Sequence, residues 1–181
     1  MATIYYIQHN NLDIQINIYS PEIDTKLIGS LKNFSYPKEF NNLINIIKEL
    51  SDNLCYKDNN ISIQIHNGDA RKYIKKLSNI HIVYQDAFSS DVNKELWTKE
   101  YFANIKRILA PNSIITTYSI ATPIRLSMYE NDLRIYEYTN IYTNKSTVAL
   151  SRTSIFDQHN YKLIDMELKK TRNPTAKSLR D

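Results

Sequence analysis

Three acidic residues stand where runs of apolar residues end. Glu22 follows IQINIYS, Asp69 follows ISIQIH and Asp86 follows IHIVYQ. In an open α/β sheet, ligands bind beyond the carboxyl ends of the strands. A carboxylate at such an end can accept hydrogen bonds from both hydroxyls of a ribose. In the pair Gly68-Asp69, the glycine lets the backbone approach an adenine and the aspartate can accept from its exocyclic amine. Asp86 would face the reacting centre. Each carboxylate alone is read most simply as a helix cap. Three of them at successive strand ends are the stronger pattern.

Other chemistries find little support. The chain has only two glycines, Gly29 and Gly68, so no Gly-rich loop cradles a cofactor. The absence of any G-x-G-x-x-G argues against a dehydrogenase. His9, His66, His81 and His159 lack metal-ligand spacing and are read as surface or packing residues. Neither a Ser-His-Asp pattern nor a P-loop lysine is present. Cys55 is the one cysteine, which excludes an internal disulfide and a cysteine-based zinc site. Lys72, Lys75 and Lys76, and Lys169, Lys170 and Arg172, are read as solvated basic faces, with phosphate contact second. A formal net charge of +4 permits a polyanionic partner without demanding one. Most of the 14 tyrosines suit half-buried strands. No apolar run reaches the length of a membrane span, and the expected setting is cytoplasmic and reducing.

The elements that must hold these residues alternate. At 181 residues and 42% hydrophobic, the chain can bury a sizeable core. ATIYYIQHNN reads as a helix and IQINIYS as a strand. DTKLIGSLKNF reads as a helix capped by Asp24. PKEFNNLINIIKELS is a clear helix with Pro37 in its first turn. A turn at Lys57 to Asn60 feeds a strand from Ile61 to Ile65. DARKYIKKLS is a short helix, and IHIVYQDAF has the continuous apolar run of a buried parallel strand. ELWTKEYFANIKRIL is an amphipathic helix that Ala110-Pro111-Asn112 stops. SIITTYS is a second buried strand. TPIRLSMYEN is a helix with Thr122 as N-cap and Pro123 at its first position. LRIYEYTNIY and KSTVALSRT form a closing antiparallel pair, joined near Thr143-Asn144-Lys145. Strands alternating with helices predict a parallel sheet covered on both faces. The expected organisation is an α/β domain over 1–156 and a loosely held tail over 157–181, with a short helix at Ile164 to Lys169.

At VYQDAFSSDVNKELWTKEYF the chain resembles a known family. It is similar to the S-adenosylmethionine-dependent methyltransferases that complete the methylaminomethyl group on the wobble uridine of bacterial tRNAs, the MnmC/MnmD type. The resemblance rests on Gly68-Asp69-Ala70-Arg71 and on Asp86-Ala87-Phe88-Ser89 through Asn93, Glu95, Leu96, Trp97 and Thr98. Thr117-Tyr118-Ser119 with Ala121 and Arg125, and the closing Arg172-Asn173-Pro174 and Leu179-Arg180-Asp181, extend it over nearly the whole chain. It implies the class I methyltransferase fold, a Rossmann-like α/β sheet with a C-terminal antiparallel hairpin. It also implies that Glu22 binds the cofactor ribose, that Gly68, Asp69 and Ala70 lie against the adenine, and that Asp86 serves the methyl-transfer site. Trp97, Tyr101 and Tyr118 become candidates for stacking on a flipped-out wobble base, although core packing is the simpler role for Trp97 and Tyr101. Arg125 is placed with them on the substrate side. The implied partners are tRNA and an FAD-dependent oxidoreductase acting on the same nucleotide.

Departures from the family pattern shape the expectation. The family's first strand and its G-F-G-L-G-x-N loop precede a helix like ATIYYIQHNN, so Met1 falls at an internal position of the pattern. Lys94 replaces a proline, Asn112 stands at a Pro-Gly-Gly turn, and Asn131-Asp132 replaces Gly-Phe. Without its first strand the sheet is expected to leave two inner strands each lacking a neighbour. Unpaired buried backbone groups cost about 1–3 kcal/mol apiece. The missing loop also supplies the N–H groups that hold the cofactor's amino-acid end. The expected S-adenosylmethionine binding is therefore weak or absent, and the chain is read as a methyltransferase or an inactive fragment of one. The alternative is a Rossmann-like domain without cofactor that keeps an RNA-binding or interaction role.

Overall fold

Helix α1 (Ala2–His9) forms as its apolar spacing requires and buries Ile4 and Ile7. In the computed structural model, residues 1–151 and 160–181 are described. They fall into two units, Met1–Tyr73 and Ile74–Asp181. His159, Asp157 and the end of the strand expected over KSTVALSRT lie outside the described residues.

In the first unit, β1 (Ile16–Glu22) is followed by α2 (Thr25–Ser30), whose cap is Asp24 accepting from the Lys26 and Leu27 amides. The long helix expected from Pro37 divides: a 3₁₀ segment over Lys38–Leu43 leads into α3 (Ile44–Asn53), which buries Ile46, Ile47 and Leu50. Then come β2 (Cys55–Lys57), β3 (Ile61–Asn67) and α4 (Ala70–Tyr73). The sheet order is β1-β3-β2. β1 runs parallel to β3, from Ile16 opposite Ile61 to Glu22 opposite Asn67. The short β2 was not foreseen; three residues carry too little pattern, and it forms by antiparallel pairing with β3. Ile4, Leu43, Ile46, Leu50, Ile61 and Ile63 make this unit's core.

The second unit holds β4 (Ile80–Tyr84), α5 (Lys99–Ile108), β5 (Leu109–Thr117), α6 (Thr122–Tyr129), β6 (Leu133–Tyr138), β7 (Ser146–Ser151), β8 (Tyr161–Leu163) and α7 (Met166–Arg172). Its sheet order is β4-β5-β7-β6-β8, with β4 and β5 parallel and the other pairs antiparallel. Trp97, Phe102, Ile105, Ile115, Leu126, Met128, Leu133 and Ile135 fill the core on one face. Tyr136, Val148 and Leu150 cluster separately.

Four expectations change here. Ala110-Pro111-Asn112 is no separate turn: β5 begins at Leu109, and Asn112 takes a left-handed φ of 58° where the pairing with β4 shifts register. α6 starts at Thr122 itself, so Ala121 occupies the N-cap and no side chain caps the helix. β7 does pair with β6, but it also pairs with β5, so the expected hairpin is threaded into the sheet rather than appended. Lastly, the tail is docked. Met166 is buried, the Lys99 amide donates to the Leu179 carbonyl, and the Leu179 amide donates to Ser127 Oγ.

Among the described residues β1 pairs only with β3, and β4 only with β5. β4 is accordingly not the buried strand its apolar run implied: Ile82 is 50% exposed and Tyr84 61%.

Candidate active site

The carboxyl ends of β1 and β3 bring one set of the singled-out residues together. Glu22 is the last residue of β1, and its carbonyl accepts the Gly68 amide at 2.9 Å. Its Oε1 accepts the Asp24 amide at 2.8 Å. Gly68 has a structural reason to be glycine, since a Cβ there would lie 3.0 Å from His66 Nε2. The His66 ring is itself stacked on Tyr73, 4.1 Å between centroids, which fits its reading as a packing residue. Asp69 is held by its own helix start. Its Oδ1 accepts the Arg71 amide and Nε, and its Oδ2 accepts Arg71 Nη2 at 2.9 Å. The Arg71 side chain holds this carboxyl below its ordinary pKa. Ala70 opens α4 beside it. Arg71 thus fills three of the acceptor positions of the Asp69 carboxylate.

A second set gathers at the carboxyl ends of β4 and β5. Gln85 follows β4, is buried, and donates its amide to Thr116 O and its side-chain nitrogen to Leu96 O. Asp86 comes next and is exposed. The two residues after it are fixed by their carbonyls. Tyr118 Oη donates to Ala87 O at 2.9 Å, and Trp97 Nε1 donates to Phe88 O at 2.7 Å. The two donor rings meet edge to face at 5.9 Å. The Asp86 loop is thus tied to the start of the α5 region and to the end of β5.

The remaining candidates are interior. Trp97 is 0% exposed and Tyr101 7%, and Tyr101 packs edge-on against Phe102. Arg125 is 2% exposed. Its Nε donates to Thr147 Oγ1 at 2.8 Å, and its Nη2 pairs with Glu137 at 3.3 Å. Thr147 Oγ1 passes the link on by donating to Ser119 O at 2.6 Å. Burial pushes the Arg125 guanidinium down, and Glu137 opposes that shift. The Glu137 carboxyl is held below its ordinary range by Lys145 first and also by Arg125. Arg125 therefore reaches the loop after β5 through Thr147, with its charge spent inside the protein. Sequence reasoning missed Gln85, Glu137 and Thr147. A glutamine closing an apolar run was the one available signal; a threonine in a strand carries none.

Residues 35–152 match the model of a family described as S-adenosyl-L-methionine-dependent methyltransferase. An uncharacterized protein of Methanocaldococcus jannaschii is 30% identical over 87 residues, 48% of this chain and 24% of that protein. The tRNA 5-methylaminomethyl-2-thiouridine biosynthesis bifunctional protein MnmC of Pseudomonas savastanoi is 30% identical over 76 residues, 41% of this chain and 12% of that protein. Among solved structures, MNMC2 from Aquifex aeolicus superposes with a TM-score of 0.80 at 25% identity, covering 99% of this chain and 57% of that one. A probable spermidine synthase from Corynebacterium glutamicum, at 12% identity and a TM-score of 0.52, covering 99% of this chain and 77% of that one, shares the fold. The chain thus spans a quarter or less of the curated relatives it matches.

Proposed function

We propose that this chain, which belongs to the family of S-adenosyl-L-methionine-dependent methyltransferases, acts on the wobble uridine of tRNA, methylating its aminomethyl nitrogen. The observation that carries the reading is the Asp86 loop. It presents the exposed Asp86 carboxylate at the carboxyl end of a parallel strand pair, with Asp91 exposed five residues further on, and two hydrogen bonds fix its backbone. The relative whose name specifies tRNA 5-methylaminomethyl-2-thiouridine biosynthesis supports the substrate.

Bound S-adenosylmethionine would supply an electrophilic methyl group. Glu22 would hold its ribose, and the backbone at Gly68, with Asp69 and Ala70, would lie along the adenine. The chain's remaining work is on the acceptor. An alkyl amine is protonated near neutral pH and cannot attack until that proton leaves. Asp86 would orient the ammonium and take its proton, leaving the amine nucleophilic. Arg125 is a positioning residue in this scheme, holding the loop after β5 through Thr147 and Ser119. A cytoplasmic setting with tRNA, and an FAD-dependent oxidoreductase working on the same nucleotide, complete the proposal; the relative MnmC is named as bifunctional.

One observation favours the second reading, a domain that holds RNA without a cofactor. Arg71 takes up most of the acceptor capacity of Asp69, so a base amine would share the carboxylate with an ion pair. We expect S-adenosylmethionine binding by this polypeptide alone to be weak. Calorimetry with S-adenosylmethionine and with tRNA separates the readings. Binding of both, with methyl transfer that Asp86→Asn lowers about a hundredfold or more, supports the enzyme. Affinity for tRNA with no heat from S-adenosylmethionine at any concentration supports the binding domain. Transfer unchanged in Asp86→Asn removes Asp86 from the mechanism.

A further inference from the structure

Two of the three rings singled out for stacking have no face to offer. Trp97 is 0% exposed and Tyr101 is buried. Tyr118 is half exposed, but its hydroxyl is committed to Ala87 O and its ring meets Trp97 edge to face. Near Asp86, Phe88 is the most exposed ring among the described residues, at 70% and two residues beyond it, with Tyr84 at 61% two residues before. Hiding a phenylalanine side chain is worth about 1.5–3 kcal/mol, yet this one stays out. Its own carbonyl is bonded to the buried Trp97 indole, and the carbonyl before it to Tyr118. The backbone at Phe88 is therefore pinned from both sides.

A single exposed apolar side chain means little. Here, however, Val92, Tyr118 and Ile120 are also exposed, on the two loops that follow the parallel strands β4 and β5. The Tyr118–Ala87 bond ties those loops together. The same β4 loop exposes the carboxylates of Asp86 and Asp91 and one cation, Lys94; apolar side chains beside two carboxylates complement a flat neutral ring that carries a cationic arm.

We infer that Phe88 is the stacking face for the acceptor base and that Trp97 and Tyr118 are the clamp that presents it. The assignment rests on the tRNA reading and adds the residue that holds its flipped-out base. The base lies on the Phe88 ring, its amine arm reaches Asp86, and the clamp keeps the two in register. Base–aromatic stacking tolerates any base, so Phe88 supplies affinity for a base that has left its stack, while the amine selects for Asp86.

The test uses the full chain and two probes: an anticodon stem–loop RNA with uridine at the wobble position, and the same RNA abasic there. Binding is read by anisotropy of a dye on the RNA, and the emission of Trp97, the sole tryptophan, is followed in parallel. We expect wild type to prefer the base-bearing RNA by about tenfold and its Trp97 emission to change on binding. Phe88→Ala should lose that preference while binding the abasic RNA as wild type does, with an unchanged melting temperature. Phe88→Tyr should restore the preference, and Tyr118→Phe should shift Trp97 emission before RNA is added. The assignment is overturned if Phe88→Ala keeps the preference, if it weakens both RNAs equally, or if Phe88→Tyr fails to rescue. A wild-type chain that binds neither RNA overturns the tRNA reading and Phe88 with it. That outcome is distinct from the others, in which wild-type binding survives.

Discussion

Arg71 answers Asp69 with three donors, one from its backbone and two from its guanidinium. Removing the guanidinium in Arg71→Ala frees two further acceptor positions of the carboxylate for a base amine. The expected outcome is S-adenosylmethionine binding strengthened several-fold, measured by calorimetry; weaker binding would mean that the ion pair itself shapes the site. Asp69 also carries a pH consequence. Its pKa is lowered in the folded chain, so its contribution is present above the ordinary carboxylate range and is lost as pH falls through the lowered value. Gly68→Ala presses a methyl to 3.0 Å from His66 Nε2 and should cost about 1–2 kcal/mol in thermal or urea unfolding. All three carboxylates were legible in the sequence, because a charged residue after an apolar run marks where a strand leaves the sheet. The engagement of Asp69 was not, since Arg71 two residues on reads equally well as a solvent-facing side chain.

At the level of elements, Arg125 stitches α6 to β7 and, through Thr147, to the loop after β5. Breaking a buried, hydrogen-bonded charge pair from one side costs about 3–5 kcal/mol, and we expect Arg125→Ala to fall near the lower end in urea unfolding. Arg125→Lys should recover little, because an ammonium cannot span Thr147 and Glu137 as a planar fork does. Glu137 has a lowered pKa. Its stabilisation is complete above the unfolded carboxylate value and disappears as pH drops through the lowered folded one. Glu137→Gln should therefore flatten the acid limb of a melting-temperature profile while costing stability near neutrality. The helices were read from apolar spacing and the breaks from Pro and Asn. α6 shows the limit: Thr122 has the chemistry of a cap, but the helix starts one residue early and takes Thr122 into its first turn. The burial of Arg125 was hidden for a related reason. An arginine on a helix reads as surface, and its partners come from strands that lie later in the chain.

Over the whole molecule, the described residues carry two sheets whose parallel strands β1 and β4 each keep one unpaired edge. Open, flat, apolar edges invite pairing with another chain. Ile82, half exposed on β4, is the place to test this. Ile82→Lys should lower light scattering on concentration while shifting stability by no more than about 0.5 kcal/mol. An apolar run announces that a strand is built to be covered, but it does not say by what, and so the sequence reading overestimated the burial of β4. The order of the second sheet has a consequence for biosynthesis. β5 and β6 touch only through β7, which the chain reaches at residues 146–151. On the ribosome β4 and β5 can already pair, but β6, whose partners are β7 and β8, must wait unladdered until that segment has cleared the exit tunnel. Any product terminated before residue 146 would strand β5 and β6 apart, and quality-control machinery would meet it as an unfinished sheet.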